Sequence, residues 1–264
     1  MSRTRAAFAR GKAFIPFLTA GDPDLATTKE LILVMAQAGA DLIEIGIPFS
    51  DPIAEGPVIQ AADIRALSGG VTTDDILAMV AEVRRETEVP LAFMTYMNPI
   101  YTYGVERFMQ GAARAGIDAV IVPDVPFEEK AELDNAAKAH DVDVISMIAP
   151  TSRERVRMIA AEATGFLYCV SSLGVTGERS AISTEIGDMI ALVREVSDIP
   201  CAIGFGISTP EQAAEMAAIS DGAIVGSAIV RLIAQHGRDS APYVAEFARQ
   251  MKAAVMSTNN RRNG

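Results

Sequence analysis

Short apolar runs alternate with longer segments of helical periodicity along most of the chain. The runs are bounded by Gly, Pro or Asp, which is typical of buried strands, and the longer segments repeat apolar residues every three or four positions. This pattern predicts eight strands, at residues 14–19, 42–46, 91–96, 119–122, 142–147, 166–170, 202–204 and 223–225. It predicts helices at residues 25–37, 74–86, 105–115, 128–139, 153–163, 186–196, 210–218 and 241–256.

Strand and helix alternation with this number of strands favours a closed barrel. Several predicted strands are apolar on both faces, as expected of a parallel sheet with helices outside it and a packed interior. A doubly wound open sheet would alternate in the same way, but the first strand–helix junction lacks the Gly-rich dinucleotide fingerprint. We therefore expect one α/β domain over residues 1–264, a (β/α)8 TIM barrel with an extra N-terminal helix and a disordered tail from about residue 257.

Two connections are much longer than an ordinary strand–helix loop. They are residues 48–70, after the second predicted strand, and residues 171–184, after the sixth. Loops that follow the strands of such a barrel surround its active site. Both connections are therefore candidate lids.

The chain is acidic, with a formal net charge of −11 from 34 acidic and 23 basic residues. Such a surface repels nucleic acid and anionic membranes, so neither is an expected partner. The N-terminal segment has no apolar signal region, and no apolar run reaches the about 18 residues that span a bilayer. Cys169 and Cys201 lie inside apolar runs, as core residues of a reducing compartment do, and we expect a cytoplasmic protein.

Glu44 is a single acid in the middle of an apolar predicted strand. Side chains alternate along a strand, so Ile43 and Ile45 share one face while Leu42 and Glu44 share the other. The isoleucine face suits the helix layer, which turns Glu44 into the barrel. Burial there would raise its pKa toward neutrality and suit it to general acid–base catalysis. The alternative is a structural carboxylate bonded to its neighbours.

Further polar candidates follow from the same strand ends. Asp51 and Glu55 lie in a segment stiffened by Pro48, Pro52 and Pro57, which would hold a carboxylate in place above the barrel. Each acid could equally be a turn or capping residue. Tyr168 points inward by alternation, and its alternative role is core packing.

Two glycine motifs predict a phosphate site. Gly204-Phe205-Gly206-Ile207-Ser208 follows the seventh predicted strand, and Gly226-Ser227 follows the eighth and opens a short helix. Glycines let backbone amides approach an anion, and these two loops form the recurrent phosphate site of TIM barrels. No arginine cluster accompanies them, so binding would rest on backbone dipoles. Each motif alone could be an ordinary tight turn.

The missing residues exclude other chemistries. None of the five lysines ends a predicted strand, as the lysine of a Schiff-base aldolase would. The two histidines, His140 and His236, fall at helix ends and predict no metal site. The chemistry that remains is proton transfer by carboxylates on a phosphorylated small molecule, without a metal or a covalent intermediate.

The chain resembles the tryptophan synthase alpha subunit family over nearly its whole length. The matching stretches, in order, are Pro16-Phe17-Leu18-Thr19-Ala20-Gly21-Asp22-Pro23, Glu44-Ile45-Gly46-Ile47-Pro48-Phe49-Ser50-Asp51-Pro52 with Glu55-Gly56-Pro57, Gly174-Val175-Thr176-Gly177, Gly204-Phe205-Gly206-Ile207-Ser208 and Gly226-Ser227-Ala228-Ile229-Val230. The resemblance implies a lyase of tryptophan biosynthesis that cleaves indole-3-glycerol phosphate, by a retro-aldol reaction, to indole and glyceraldehyde 3-phosphate.

The resemblance also implies roles for individual residues. Glu44 would move protons. Glu55 would accept a hydrogen bond from the indole N–H, although the family most often has aspartate at position 55. Phe17 would line the indole pocket, Tyr168 would position the substrate, and Thr176 would belong to a closing loop. The phosphate would lie against Gly177, Gly206, Gly226 and Ser227, with Gly204 and Phe205 shaping the turn.

Family members pair with a beta subunit that carries pyridoxal phosphate, in an α2β2 tetramer, so this chain itself would need no cofactor. Pro48, Asp51 and Asp124 would belong to the surface that communicates with this partner. Two other interpretations stay open: a stand-alone lyase that releases indole without a partner, and a non-catalytic barrel that keeps only the phosphate site.

Overall fold

Eight parallel strands close into a barrel in sequential order, with the last strand paired to the first. The computed structural model of the chain describes residues 2–170, 179–204 and 206–258. The strands are β1 Ala13–Thr19, β2 Ile43–Gly46, β3 Leu91–Met94, β4 Ala119–Ile121, β5 Asp143–Ile148, β6 Leu167–Val170, β7 Cys201–Gly204 and β8 Gly222–Val225. The predicted (β/α)8 barrel is confirmed.

Helices surround this barrel and follow every strand. Within the described residues they are α1 Arg3–Ala6, α2 Leu25–Gln37, α3 Pro57–Ser68, α4 Thr73–Val83, α5 Met97–Tyr103, α6 Val105–Ala115, α7 Ala131–Ala139, α8 Arg153–Glu162, α9 Arg179–Arg194, α10 Pro210–Ile219, α11 Ser227–His236 and α12 Ala241–Ser257. None of the described helices is long and apolar enough to cross a membrane.

The long connection after β2 is only partly a loop. Residues 57–68 form α3, which begins with Pro57 at its first position, where a missing N–H costs nothing. Reading all of residues 48–70 as a loop was therefore wrong for its second half, because Pro57 starts a helix. The structure also adds α5, which was not predicted, and starts α9 at Arg179 rather than at residue 186.

The predicted second lid and the predicted disordered tail lie largely outside the residues that the structure describes. Residues 171–178 of the connection after β6 and residues 259–264 of the tail lie outside the described residues.

Apolar side chains form two layers, separated by the strands. Ile43 and Ile45 belong to the layer between strands and helices, and Leu42 belongs to the barrel interior, as alternation predicts. Other interior residues are Ala13, Ile15, Ala92, Ala119, Ile121, Ile145, Phe166, Ala202 and Ile224.

The N-terminal segment closes the bottom of the barrel, where the strands begin. Phe8 follows α1 and packs against Phe166, with ring centroids 5.5 Å apart, and Thr4 donates a hydrogen bond to Asp143 at the start of β5. The extra N-terminal helix is thus confirmed. With the bottom filled, the open end of the barrel is the end where the strands finish.

Candidate active site

A cavity of about 370 Å³ opens at the carboxyl ends of the strands. This volume suits a small-molecule ligand. Its lining includes seven of the residues singled out from the sequence, namely Phe17, Glu44, Glu55, Tyr168, Gly206, Gly226 and Ser227. The closed barrel brings these residues together from three strands and from the connections that follow β2, β7 and β8.

Glu44 lies in the wall of this cavity and is fully buried. Neither of its carboxyl oxygens has a hydrogen-bond partner among the described residues. Burial without compensating donors disfavours the charged form, and it raises the pKa of Glu44 to about 8. The side chain is therefore a neutral acid near pH 7 that can give up a proton at little cost.

Phe17 lies beside Glu44 because β1 and β2 pair in a register that aligns these two residues. Its ring fills the space over two glycines. A Cβ atom at Gly46 would lie 2.7 Å from the Phe17 Cζ atom, and one at Gly226 would lie 3.3 Å from Cδ1. Glycine at these positions lets the aromatic ring form part of the cavity wall.

Tyr168 on β6 makes a similar contact with β7. A Cβ atom at Gly204 would lie 2.4 Å from the Tyr168 hydroxyl oxygen, so Gly204 makes room for the tyrosine. Gly204 itself does not line the cavity. Burial, with a smaller contribution from Glu44, raises the pKa of Tyr168 well above its ordinary value, and the phenol stays neutral.

Glu55 meets a second acid that sequence analysis missed. Asp63 on α3 is 4% exposed and lies near enough to Glu55 for the two charges to interact. Burial first, and then the neighbouring Glu55 charge, raise the pKa of Asp63 to about 8. Burial also raises the pKa of Glu55. The sequence could have revealed Asp63 only if residues 57–68 had been recognised as a helix. Asp63 then shares the buried face of that helix with Ala62 and Ala66.

Glycines after β7 and β8 also line the cavity. Gly206 has a positive φ of 77°, and a Cβ there would meet nothing within 4 Å. Gly226 is the N-cap of α11. It has no side chain that could accept a hydrogen bond from the first backbone N–H groups of that helix. Free N–H groups at a helix N-terminus bind anions.

Arg231 also lines the cavity, one helical turn after Ser227. The sequence analysis expected phosphate binding from backbone dipoles alone, and the structure adds this cation. The spacing of four residues from Ser227 could have revealed it, because residues i and i+4 share a face of a helix.

The remaining predicted residues lie elsewhere. Pro48 is buried and Asp51 is exposed, and both precede the cavity-lining part of the loop. The Asp124 carboxylate accepts the Met97 backbone N–H at 2.9 Å and so caps α5. Thr176, Gly177 and Phe205 lie outside the described residues.

Comparison with known proteins gives a consistent picture. The family model for the tryptophan synthase alpha chain matches residues 4–258. The chain is 43% identical to the tryptophan synthase alpha chain of Lacticaseibacillus casei, over 97% of this chain and 96% of that protein. It is 48% identical to that of Geobacter sulfurreducens, over 93% and 97%.

Solved structures agree with the sequence relatives. Tryptophan synthase subunit alpha from Legionella pneumophila superposes with a TM-score of 0.88 at 37% identity, covering 97% of this chain and 99% of that one. A chain of the tryptophan synthase complex from Pyrococcus furiosus superposes with a TM-score of 0.82 at 32% identity, covering 92% and 99%. The chain therefore belongs to the tryptophan synthase alpha chain family.

Proposed function

We propose that this chain carries out the reaction of its family, the cleavage of indole-3-glycerol phosphate to indole and glyceraldehyde 3-phosphate, with Glu44 as the group that transfers protons. The observation that carries the proposal is the position of Glu44. It is a fully buried carboxyl without a hydrogen-bond partner among the described residues, in a cavity that is also lined by a helix N-terminus suited to phosphate.

Neutral Glu44 begins the reaction as an acid. It donates its proton to the indole ring carbon that carries the side chain, and the positively charged ring then accepts the electron pair of the adjacent carbon–carbon bond. As that bond breaks, the Glu44 carboxylate takes the proton of the side-chain hydroxyl, which becomes the aldehyde of glyceraldehyde 3-phosphate. Glu44 ends in its starting state, so a pKa near neutrality serves both steps.

The other cavity residues orient the substrate and stabilise charge. Glu55 accepts a hydrogen bond from the indole N–H, where positive charge develops. The attraction between this charge and the carboxylate is stronger in a site that excludes water. Phe17 packs against the indole ring and Tyr168 holds the substrate side chain. Thr176 lies outside the described residues, and its role in substrate binding stays a prediction.

The phosphate group anchors the far end of the substrate. We assign it to the backbone amides of Gly206, Gly226 and Ser227 together with Gly177. The positive end of the α11 dipole favours a dianion there. Anchoring this tail fixes the distance between the indole ring and Glu44 and so lowers the entropic part of the barrier.

The alpha chain family needs no cofactor of its own, since pyridoxal phosphate belongs to the beta subunit. We propose that this chain pairs with such a subunit in an α2β2 tetramer in the cytoplasm. The surface beside the cavity, which includes Asp51 and the segment around Asp124, carries Ile53 and Tyr101 at 81% and 70% exposure. We assign both residues to the surface that faces the beta subunit.

The decisive experiment mixes the purified chain with indole-3-glycerol phosphate and measures indole release, alone and with the beta protein. Size-exclusion chromatography of the same mixtures reports the assembly. Indole release identifies the activity. A chain that releases none in either mixture is not this lyase.

Replacing the proton-transferring acid tests the mechanism. Glu44→Gln keeps the size of the side chain but cannot transfer a proton, so we expect kcat to fall by about 10³-fold or more with the fold intact. Steady-state indole release and a circular dichroism spectrum measure both. A variant with near wild-type kcat would remove Glu44 from the mechanism.

Glu55→Gln tests the electrostatic role separately. The amide can still fill the site but carries no charge to stabilise the indole N–H, so we expect kcat to fall by about 10- to 1000-fold while KM changes little. The same assay measures both constants. Wild-type turnover by this variant would show that Glu55 takes no part in cleavage.

A further inference from the structure

Tyr96 is a buried tyrosine just after β3 that the mechanism above does not use. It is 2% exposed, and it contacts the connection of residues 48–56, which carries Glu55, at two points. Its ring packs against Phe49 with the ring centroids 5.5 Å apart, and its hydroxyl oxygen accepts the Ala54 N–H at 3.0 Å. One side chain thus joins the beginning of this connection to the residue just before Glu55.

The backbone of Tyr96 is itself held on both sides. The preceding residue, Thr95, donates its N–H to the Ile121 carbonyl of β4 at 3.1 Å. The following residue, Met97, donates its N–H to both oxygens of the Asp124 carboxylate, at 2.9 and 3.2 Å. Tyr96 is therefore fixed between a strand of the barrel and the first turn of α5, and its hydroxyl is a firm point to which a loop can be tied.

The position of the Glu55 carboxyl depends on how its backbone is held. The Glu55 Oε2 atom is buried and has no hydrogen-bond partner among the described residues, so no donor fixes that oxygen. On one side Tyr96 holds the Ala54 N–H, and on the other Gln60 Nε2 donates to the Glu55 carbonyl oxygen at 2.8 Å. The Gln60 bond is exposed and water competes with it, whereas the Tyr96 bond is half-buried. Tyr96 is therefore the firmer of the two anchors.

We propose that Tyr96 is a positioning residue for Glu55, and that its hydroxyl oxygen holds Ala54 so that the Glu55 carboxyl lies in the cavity. The inference rests on the proposed function, in which Glu55 accepts a hydrogen bond from the indole N–H. Ala54 and Glu55 both line the cavity, whereas Tyr96 does not. A displacement of about 1 Å in a catalytic group costs about 100-fold in rate, so a single anchor bears on turnover.

The phenol is suited to this role because it brings no charge. Burial raises the pKa of Tyr96 above its ordinary value, so the hydroxyl stays neutral at working pH. A neutral acceptor holds the Ala54 N–H without repelling the carboxylate of the next residue.

Tyr96→Phe tests the anchor, since it keeps the ring against Phe49 and removes only the oxygen that accepts the Ala54 N–H. We expect kcat to fall about fivefold or more while KM changes by less than about threefold, because Glu55 acts on charge that develops as the bond breaks. Steady-state indole release measures both constants. A wild-type kcat in this variant would overturn the proposal.

Tyr103→Phe is the matched control. It also removes a phenolic hydroxyl, at the other end of α5, but that hydroxyl bonds the exposed Asp74 and Tyr103 does not line the cavity. We expect kcat and KM within about twofold of the wild-type values. Thermal unfolding of both variants verifies that the fold is retained.

A double-mutant cycle separates positioning from a general effect on the fold. Because Tyr96 acts through Glu55, removing its hydroxyl should lower kcat by less than about twofold in Glu55→Gln, where the charge to be positioned is absent. A merely structural role would lower kcat by the same factor with either residue at position 55. Equal factors would therefore contradict positioning.

A measurement without turnover keeps this test separate from that of the proposed function. Hydrogen exchange of the Ala54 amide, followed by NMR, reports whether the hydroxyl of Tyr96 holds it. We expect exchange about fivefold or more faster in Tyr96→Phe than in the wild type, and an unchanged rate in Tyr103→Phe. Equal rates in Tyr96→Phe and the wild type would refute the anchor even if the chain cleaves its substrate. Faster exchange in a chain that releases no indole would support the anchor and contradict the proposed function instead.

Discussion

At the scale of single residues, the site depends on acids held where water cannot stabilise their charge. Glu44 is completely buried and has no hydrogen-bond donor among the described residues, whereas Asp24, the half-buried N-cap of α2, has its pKa lowered by the Thr27 backbone N–H. The same chemical group is thus an acid near neutrality in one place and a permanent anion in the other. Hydrogen-bond donors and burial, not residue type, make the difference.

The raised pKa of Glu44 also predicts how stability depends on pH. The folded state keeps a proton that the unfolded chain loses above pH 4.5, so the free energy of unfolding should fall as pH rises from 4.5 and level off above about 8. Glu44→Gln carries no such proton. Between pH 5 and pH 9 we expect the wild type to lose roughly 2–5 kcal/mol more than the variant.

Urea unfolding of both proteins at the two pH values measures this difference. Asp63 titrates in the same window but is present in both proteins, so its contribution cancels. Parallel stability curves would contradict an uncompensated proton on Glu44.

At the scale of elements, the strands are placed so that glycines on one accommodate rings from the next. Gly46 lies against Phe17 and Gly204 against Tyr168, and both contacts join neighbouring strands. The helix α3 is held in a comparable way, by the Arg65 guanidinium bound to Asp22 in the turn after β1. These contacts fix the cavity walls relative to the barrel.

Gly204→Ala tests the contact between β6 and β7. The new methyl group would lie 2.4 Å from the Tyr168 hydroxyl oxygen, so the buried ring must move. We expect a loss of about 1–3 kcal/mol of stability, together with a raised KM because Tyr168 lines the cavity. Thermal unfolding and steady-state kinetics check both.

Gly187→Ala on α9 is the matched control, because a Cβ there meets nothing within 4 Å. It should leave KM unchanged and stabilise the helix slightly, as alanine favours helix more than glycine does. An unchanged KM in Gly204→Ala would mean that Tyr168 does not hold the substrate.

At the scale of the whole molecule, an acidic protein must attract an anionic substrate. The formal net charge is −11, yet Arg231 lies in the cavity wall beside the proposed phosphate amides and forms no ion pair with any described residue. A cation at the mouth offsets the repulsion locally. Its contribution is exposed to solvent and should be screened by salt.

Arg231→Gln tests this contribution. We expect KM for indole-3-glycerol phosphate to rise about three- to tenfold at low salt while kcat stays within about twofold, because the charge acts on binding and lies far from the bond that breaks. The wild-type KM should rise with added salt more steeply than that of the variant. Steady-state kinetics at about 50 and 300 mM salt measure both effects.

Arg231→Lys should retain most of the wild-type behaviour, since it keeps the charge. Arg249→Gln, on the solvent-facing side of α12 and paired with Glu246, changes the net charge equally without touching the cavity. If it raised KM as much as Arg231→Gln, the effect would come from overall charge rather than from the cavity wall.

The amino-acid sequence by itself determined the eight strands, their inward and outward faces and the position of Glu44. These features depend on local periodicity, and a two-residue alternation turns Glu44 inward whatever the rest of the chain does. The sequence also placed the glycines after β7 and β8 beside Glu44, because strand ends in a parallel barrel all meet at one edge. It missed α3, since a proline can stiffen a loop or open a helix and only the packed surroundings select one.

Tertiary structure alone decided which side chains meet. The electrostatic influence of Glu55 on Asp63, the reach of Arg231 into the cavity and the fit of Tyr168 over Gly204 join residues from separate elements. Such contacts arise only when the barrel closes and brings these elements together, and no local pattern encodes their distances. For the same reason the pKa values of the buried acids follow from the fold, because they depend on how completely water and hydrogen-bond donors are excluded.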